Sequence, residues 1–170
     1  MNPSSLHSLL DQVRDYIPNP TKGLPEEVFL FATEITPMVN VDLLIRDADG
    51  NVLLSWRDDP IDKTGWHIPG GIVRVKETFE ERIQQVGILE IGCPSILFDP
   101  KPLEIVPILL PERKQRCHFI SFVYSCHLPE RFVIDNGPKK PHDKGYLQWH
   151  RTFPSDMISP QNFYKKYFQT

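Results

Sequence analysis

This sequence has few cysteines, a small net charge and no long apolar run. The three cysteines, Cys93, Cys117 and Cys126, show no paired zinc-ligand spacing, and we expect buried, reduced side chains. A net charge of −3 offers no basic surface for nucleic acid. No apolar run approaches the roughly 20 residues of a membrane span, and the N-terminus lacks a signal-peptide pattern. We therefore expect a soluble, cytoplasmic protein that binds neither nucleic acid nor membrane.

The chain has enough residues for one domain with a sizeable core, since it is 170 residues long and 40% hydrophobic. We predict an N-terminal helical arm, residues 1–34, followed by a core, residues 35–170. Apolar spacing in the arm predicts one helix ending near Ile17 and a second from Leu24 to about Thr33. Their apolar faces have two candidate partners, the arm's own domain or a second subunit.

Alternating and β-branched residues predict several strands in the core, and the chain's fold class is α+β. The first two strands read as a hairpin because the polar turn 47–51 joins them. A second hairpin has a charged tip at 111–116, and a final helix begins after Ser159. The predicted strands are 38–46, 52–57, 95–98, 103–109, 117–127 and 146–149.

The stretch from Gly70 to Gly92 is the centre of the prediction. Gly70 and Gly71 follow an apolar run that ends in a proline, which predicts a tight turn and then a short strand. A helix should follow from about Lys76 and stop at Gly92. Its spacing predicts a buried stripe of Phe79, Ile83, Val86 and Leu89, with Glu77, Glu80, Glu81 and Arg82 off the stripe.

A turn carbonyl beside carboxylates is a hard-oxygen environment. Such ligands suit Mg²⁺, or Mn²⁺, and these ions in turn suit phosphate-bearing substrates. The alternative is that the carboxylates form an ordinary solvated helix face.

The spacing of this stretch resembles the box of the Nudix hydrolase family. Gly71, Glu77, Glu90 and Gly92 fall on the family's conserved positions. The box also departs from the family: its arginine is Gln85, its first clustered glutamate is Val86, its apolar position is Gly87, and Leu89 replaces one of the paired glutamates. The resemblance implies a Nudix-type α/β/α sandwich with a mixed β-sheet. Because only one of the clustered acids, Glu90, remains, the protein either binds a single metal ion or has kept the fold without catalysis.

The GDP-mannose mannosyl hydrolase branch of this family has a similarly degenerate box, and the likeness extends over roughly residues 25–150. It is strongest from Thr36 to Gly92. The branch implies that Asp42 binds the sugar and that Arg57 binds and stabilises the diphosphate. It also implies that the Gly70 carbonyl and Glu90 hold Mg²⁺.

The same branch implies that His142 is the general base. Pro141 stands where the branch has a metal-binding glutamine, so Asp143 or water would complete the metal sphere. Two arginines of the branch are replaced here by Ile72 and Gln85. Lys139, Lys140, Lys144 or Arg74 compensate, or else they are solvated surface residues.

The resemblance implies hydrolysis of a nucleotide sugar to a nucleoside diphosphate and free sugar. The first candidate substrates are GDP-mannose and GDP-glucose. Two alternatives stay open: a Nudix pyrophosphohydrolase that attacks phosphorus with Glu77 and Glu81 as extra ligands, and a non-catalytic nucleotide-binding module. Branch relatives are dimers, which favours a homodimer.

Overall fold

Two β-sheets form the centre of the fold. The computed structural model describes residues 3–59 and 63–169. In the first sheet, strands β4, β1 and β7 lie side by side, and β5 and β6 both pair with β7; the second sheet has the order β3-β2-β8. The strands are β1 (Met38–Ile45), β2 (Val52–Asp59), β3 (Lys63–His67), β4 (Gly70–Ile72), β5 (Leu97–Phe98), β6 (Glu104–Leu109), β7 (His118–His127) and β8 (Leu147–His150).

Helices lie at both ends of the chain and after β4. They are α1 (Pro3–Asp15), a short 3₁₀ helix (Pro20–Lys22), α2 (Glu26–Ile35), α3 (Phe79–Val86) with a π-helical turn (Gly87–Ile91), and a C-terminal 3₁₀ helix (Ser159–Tyr167). Within the described ranges, none is long and apolar enough to cross a bilayer. The final helix begins at the predicted Ser159.

The parallel pair β1 and β7 carries the core. Both faces of β1 are buried, which explains its nearly continuous apolar sequence. One face packs on Ile83 and Val86 of α3, and the other packs on Tyr164 of the C-terminal 3₁₀ helix. β1 pairs parallel with β7 and antiparallel with β4, so the sheet is mixed and the predicted α+β class is confirmed. Cys93 and Cys126 are buried and reduced, as expected.

The predicted hairpin of the first two strands is wrong. The turn itself forms, because Asp47 accepts bonds from the backbone of Asp49 and Asn51. One isolated bridge joins Arg46 to Val52, but β1 and β2 belong to different sheets. The polar sequence of residues 58–65 predicts a loop, which is wrong at both ends, where β2 and β3 pair; residues 60–62 lie outside the described ranges.

The helix of the box begins later than the spacing predicts, and its last turn is π-helical. Thr78 caps it, and Glu81 completes the capping box. Ile83 and Val86 are buried as predicted. The π-helical turn changes the angular phase, so Ile91 is buried while Leu89 is 68% exposed. Gly92 ends the helix in a left-handed conformation, with φ of 75°.

The N-terminal arm divides into two parts with different packing. On α1, Leu6, Leu9, Leu10 and Val13 are exposed. The chain from Pro20 onward instead contacts the core: Thr33 of α2 accepts a bond from the backbone of Arg116, and Glu34 from the side chain of Gln115. The second part therefore packs on its own domain.

The paired glycines are required for close approach, not for a turn. Both lie in β4, and neither has a positive φ. A Cβ on Gly70 would lie 2.4 Å from Oδ1 of Asp42 and 2.7 Å from the carbonyl oxygen of Val41. A Cβ on Gly71 would lie 3.0 Å from Val86. The predicted tight turn at this position is therefore wrong, although the glycines themselves are needed.

Substitution of Gly70 by alanine should destabilise the fold by about 3 kcal/mol, the upper part of the range for overpacking, because the clash is with backbone. Gly137→Ala is the control. It has open space around it, and its φ of 56° should cost only about 1–2 kcal/mol. Urea unfolding of both variants measures the difference. An equal or smaller loss for Gly70→Ala would contradict the close-approach account.

Candidate functional site

A cavity of about 490 Å³ lies against the edge of the first sheet at β4. This volume is in the range of small-molecule sites. Its lining comes from the arm, four strands of the first sheet, β2, α3 and the segment that leads into the C-terminal helix. Of the predicted site residues it includes Asp42, Arg57 and Gly70, but not Glu90, His142 or Asp143.

A buried carboxylate lies in the lining of the cavity. Asp42 is 2% exposed, and its oxygens accept hydrogen bonds of 2.6 Å from both Asn40 and Ser121. The hydroxyl of Tyr164 donates a third bond. Burial raises the pKa of Asp42, although the three bonds oppose this change. Burial also raises the pKa of Tyr164 far above its ordinary value, so its hydroxyl stays a donor.

Four arginines also line the cavity: Arg57, Arg74, Arg82 and Arg116. Arg116 pairs with Asp59 at 3.2 Å, and Arg82 is bound by Glu77. Of the predicted compensating cations, Arg74 lies in the lining and the three lysines do not. Guanidinium groups bind phosphate oxygens through paired N–H groups, so this lining suits a diphosphate.

Glu77, the first acid of the box, is engaged in a structural ion pair. Arg82 donates two bonds of 2.7 Å to its two oxygens, and the backbone of Arg74 donates a third. Burial raises the pKa of Glu77, but these bonds outweigh burial and leave the pKa below its ordinary value. Arg82 is buried, although its spacing places it off the predicted buried stripe. One oxygen of Glu81 accepts the backbone N–H of Thr78 in the capping box, so both acids that the pyrophosphohydrolase hypothesis uses are already engaged in local hydrogen bonds.

Glu90 lies outside the cavity lining and beside His67. Its Oε2 is buried and has no hydrogen-bond partner in the described part of the chain; Nε2 of His67 lies 3.5 Å away. His67 is itself buried, and its Nδ1 has no described partner either. The sequence did not indicate His67, because it lies within an apolar run.

The Gly70 carbonyl is oriented away from the sheet. The N–H of Leu43 donates to the carbonyl of Pro69, and the next pair, Asp42 with Gly70, is not hydrogen-bonded because antiparallel bonds alternate. Since β4 is an edge strand, the Gly70 oxygen points outward.

The two predicted metal ligands, the Gly70 carbonyl and Glu90, offer only part of a coordination sphere. No group of three His, Cys, Asp or Glu side chains that could hold a metal occurs in residues 3–59 and 63–169. The Gly70 carbonyl and the unpartnered oxygen of Glu90 are hard ligands that suit Mg²⁺ or Mn²⁺, and water or substrate would supply the rest. Oδ2 of Asp143 accepts a bond of 2.7 Å from the backbone of Lys140, and the role of Asp143 as a metal ligand stays a prediction.

His142 lies on the other face of the second sheet from Glu90. Its ring is 4.2 Å from the ring of Trp56, which is the strand partner of Trp66. Trp66 and His67 are adjacent in β3 and so point to opposite faces. Because His67 contacts Glu90, the structure does not bring His142 and Glu90 together.

Two polar residues of the site could not be found from the sequence. Ser121 and Tyr164 are 79 and 122 residues from Asp42 along the chain. An aspartate inside an apolar strand does signal that donors must exist, since a buried unpaired carboxylate is costly. It does not say where they are.

Comparison with known proteins gives five curated proteins that match by sequence and 221 solved chains that match by structure. No protein-family model matches the chain. Over 79 residues it is 33% identical to the low-salt glycan biosynthesis protein Agl8 of Haloferax volcanii, covering 46% of this chain and 50% of that protein. The match thus spans half the length of this curated relative.

Two solved structures share the fold. A MutT Nudix hydrolase from Burkholderia pseudomallei has a TM-score of 0.56 and 21% identity, covering 79% of this chain and 99% of its own. A UDP-X diphosphatase has a TM-score of 0.55 and 19% identity, covering 96% of this chain and 75% of its own. The chain has the Nudix hydrolase fold, so the predicted fold is confirmed.

The Glu77–Arg82 pair should contribute strongly to stability. Arg82→Ala should lower the free energy of unfolding by about 3–5 kcal/mol, because it leaves the carboxylate of Glu77 without its partner. Gln85→Ala, at the exposed arginine position of the box, should change it by less than about 0.5 kcal/mol. Urea unfolding measures both. Equal losses would contradict the assignment.

Acid should reduce the difference between wild type and Arg82→Ala. The fold lowers the pKa of Glu77, so the stability from the pair is fully present above the ordinary carboxyl pKa of 4.5. It is lost as the pH falls through the lower pKa of the folded state. Urea unfolding between pH 7 and pH 3 tests this.

Proposed function

We propose that this protein hydrolyses a nucleotide sugar, with GDP-mannose and GDP-glucose as the first candidates. The observation that carries the proposal is the composition of the cavity lining, in which arginines and a buried, hydrogen-bonded carboxylate occur together. Arg57 and Arg74 suit a diphosphate, and the polar group of Asp42 with Asn40 and Ser121 suits the hydroxyl groups of a sugar. The names of two similar proteins, one a UDP-X diphosphatase and one a glycan biosynthesis protein, support the same substrate class.

In the proposed reaction, water attacks the anomeric carbon. A bond forms between the water oxygen and this carbon, and the bond from the carbon to the diphosphate oxygen breaks. The electron pair leaves with the diphosphate, and a general base takes the proton of the water. The products are a nucleoside diphosphate and a free sugar with inverted configuration.

The chain's residues contribute mainly by stabilising the leaving group. Arg57 lines the cavity and would meet the charge that grows on the diphosphate. Glu90 and the Gly70 carbonyl would hold Mg²⁺ or Mn²⁺, which supplies further positive charge to the diphosphate when bound.

Attack at carbon is favoured over attack at phosphorus by how the acids are used. Glu77 is bound to Arg82, and Glu81 caps α3, so one carboxylate of the box is left for metal. Typical Nudix enzymes that attack phosphorus hold two or more ions with several acids. Cleavage at phosphorus is the second candidate, and the name of the UDP-X diphosphatase favours it.

His142 is our proposal for the general base, and in this role its loop would have to move, because the ring lies across the second sheet from Glu90 and outside the cavity lining. It is one of three described non-glycine residues with a positive φ, at 72°. Such a conformation costs energy and occurs often at functional sites. Its loop is exposed, and catalytic contacts often tighten only when substrate binds.

Product identification tests the reaction. We expect the purified protein with Mg²⁺ and GDP-mannose or GDP-glucose to release GDP and free sugar, because the arginines stabilise a diphosphate leaving group. Chromatography resolves GDP from GMP. Release of GMP and sugar phosphate would move the protein to the pyrophosphohydrolases. No turnover across a panel of nucleotide sugars would favour a binding module.

Substitution of the proposed base tests the role of His142. His142→Ala should lower kcat by about 10²- to 10⁴-fold, the usual contribution of general-base assistance, without unfolding the protein. His127→Ala removes another exposed histidine, at the end of β7, and should leave kcat unchanged. Near-normal turnover in His142→Ala would remove it from the mechanism and leave His67, beside Glu90, as the histidine to test.

A further inference from the structure

We propose that the segment from Pro20 to Phe29 forms the nucleobase subsite of the cavity. The inference rests on the proposed function, because it takes the ligand to be a nucleotide. It adds which part of the chain recognises the base. The segment belongs to the N-terminal arm, which the sequence identified only as a packing element.

The arm contributes an apolar wall. Pro20, Leu24 and Phe29 line the cavity, together with Ile108 and Phe119 of β6 and β7. Phe29 and Phe119 are half-buried, so their rings retain surface on which another group can pack. A nucleobase has two flat apolar faces and stacks well on aromatic and aliphatic side chains.

The charged part of the lining comes from the core, not from the arm. Asp42, Arg57, Arg74 and Arg116 belong to the sheets and their loops, whereas every arm residue in the lining is apolar or glycine. A ligand with a charged diphosphate and an uncharged ring system matches this division. The base would therefore contact the arm, while the diphosphate contacts the arginines.

The arm wall is held in place by specific contacts. Asn19 caps the short 3₁₀ helix through a bond of 3.0 Å to the backbone of Thr21. At the other end, Thr33 and Glu34 bind the turn between β6 and β7, including a 3.0 Å bond from the backbone of Arg116. The arm is thus joined to an arginine of the same cavity.

Arg74 connects the two parts of the cavity. Its guanidinium carbon lies 3.9 Å from the position of a Cβ on Gly23, so it packs closely against the arm. Gly23 has a φ of 114°, which a residue with a side chain rarely adopts. A planar guanidinium in this position can stack on a base and still reach a phosphate.

Calorimetric titration with two probes tests the subsite: GDP, which carries a base, and inorganic pyrophosphate, which does not. Phe29→Ala should weaken GDP binding about tenfold, the usual scale for loss of base stacking, and should leave pyrophosphate binding within twofold. Leu24→Trp fills the subsite from a position that is 37% exposed, so it should weaken GDP binding without a folding defect. Phe31→Ala is the matched control, because Phe31 lies on α2 but is 58% exposed and outside the lining.

The outcomes separate this inference from the proposed function. If wild type binds GDP and both subsite variants bind it equally well, the base lies elsewhere and only the inference fails. The same holds if the variants lose pyrophosphate as strongly as GDP. If wild type binds neither probe in the presence of Mg²⁺, the proposed function fails and the inference fails with it. A selective loss of GDP in both variants, with Phe31→Ala unchanged, supports the subsite.

Discussion

The burial of one carboxylate constrains much of this structure. Asp42 lies in the central strand β1, and a carboxylate in that position must be hydrogen-bonded. Its donors come from three places in the fold: β1 itself, the neighbouring strand β7, and the C-terminal 3₁₀ helix through Tyr164. The same carboxylate explains why Gly70 has no side chain, since a Cβ there would collide with it. The carboxylate of Asp42 thus connects the central strands of the sheet with the edge strand β4 and the C-terminal 3₁₀ helix.

The degenerate box keeps a structural ion pair, between Arg82 and Glu77, but it does not keep the lost acidic charges. Arg82 pairs with Glu77 although the arginine position of the box holds Gln85, so a buried ion pair still joins the loop after β4 to α3. This pair uses an acid that the box pattern alone would offer to a metal. The loss of other acids at Val86 and Leu89 leaves Glu90 as the clustered carboxylate.

Periodicity predicts the elements well and their partners poorly. The strands β1 and β7, the start of the final helix and the stop at Gly92 follow from local patterns. Local patterns do not predict that β1 and β2 belong to two sheets. A turn sequence predicts that the chain changes direction, but it does not predict which strands pair afterwards. The exposure of Leu89 depends on one π-helical turn that shifts the phase of the stripe. Arg82 and Tyr164 were missed because their partners lie outside the reach of helical or strand spacing.

An arginine-rich and carboxylate-poor cavity affects which bond is easier to break. Attack at phosphorus needs a strongly activated nucleophile, which several acids and more than one metal ion would provide. Attack at carbon depends more on a stable leaving group, and permanently charged guanidinium groups can stabilise a departing diphosphate without a full metal cluster. The charge balance of the cavity therefore supports the leaving-group role that we propose for the diphosphate.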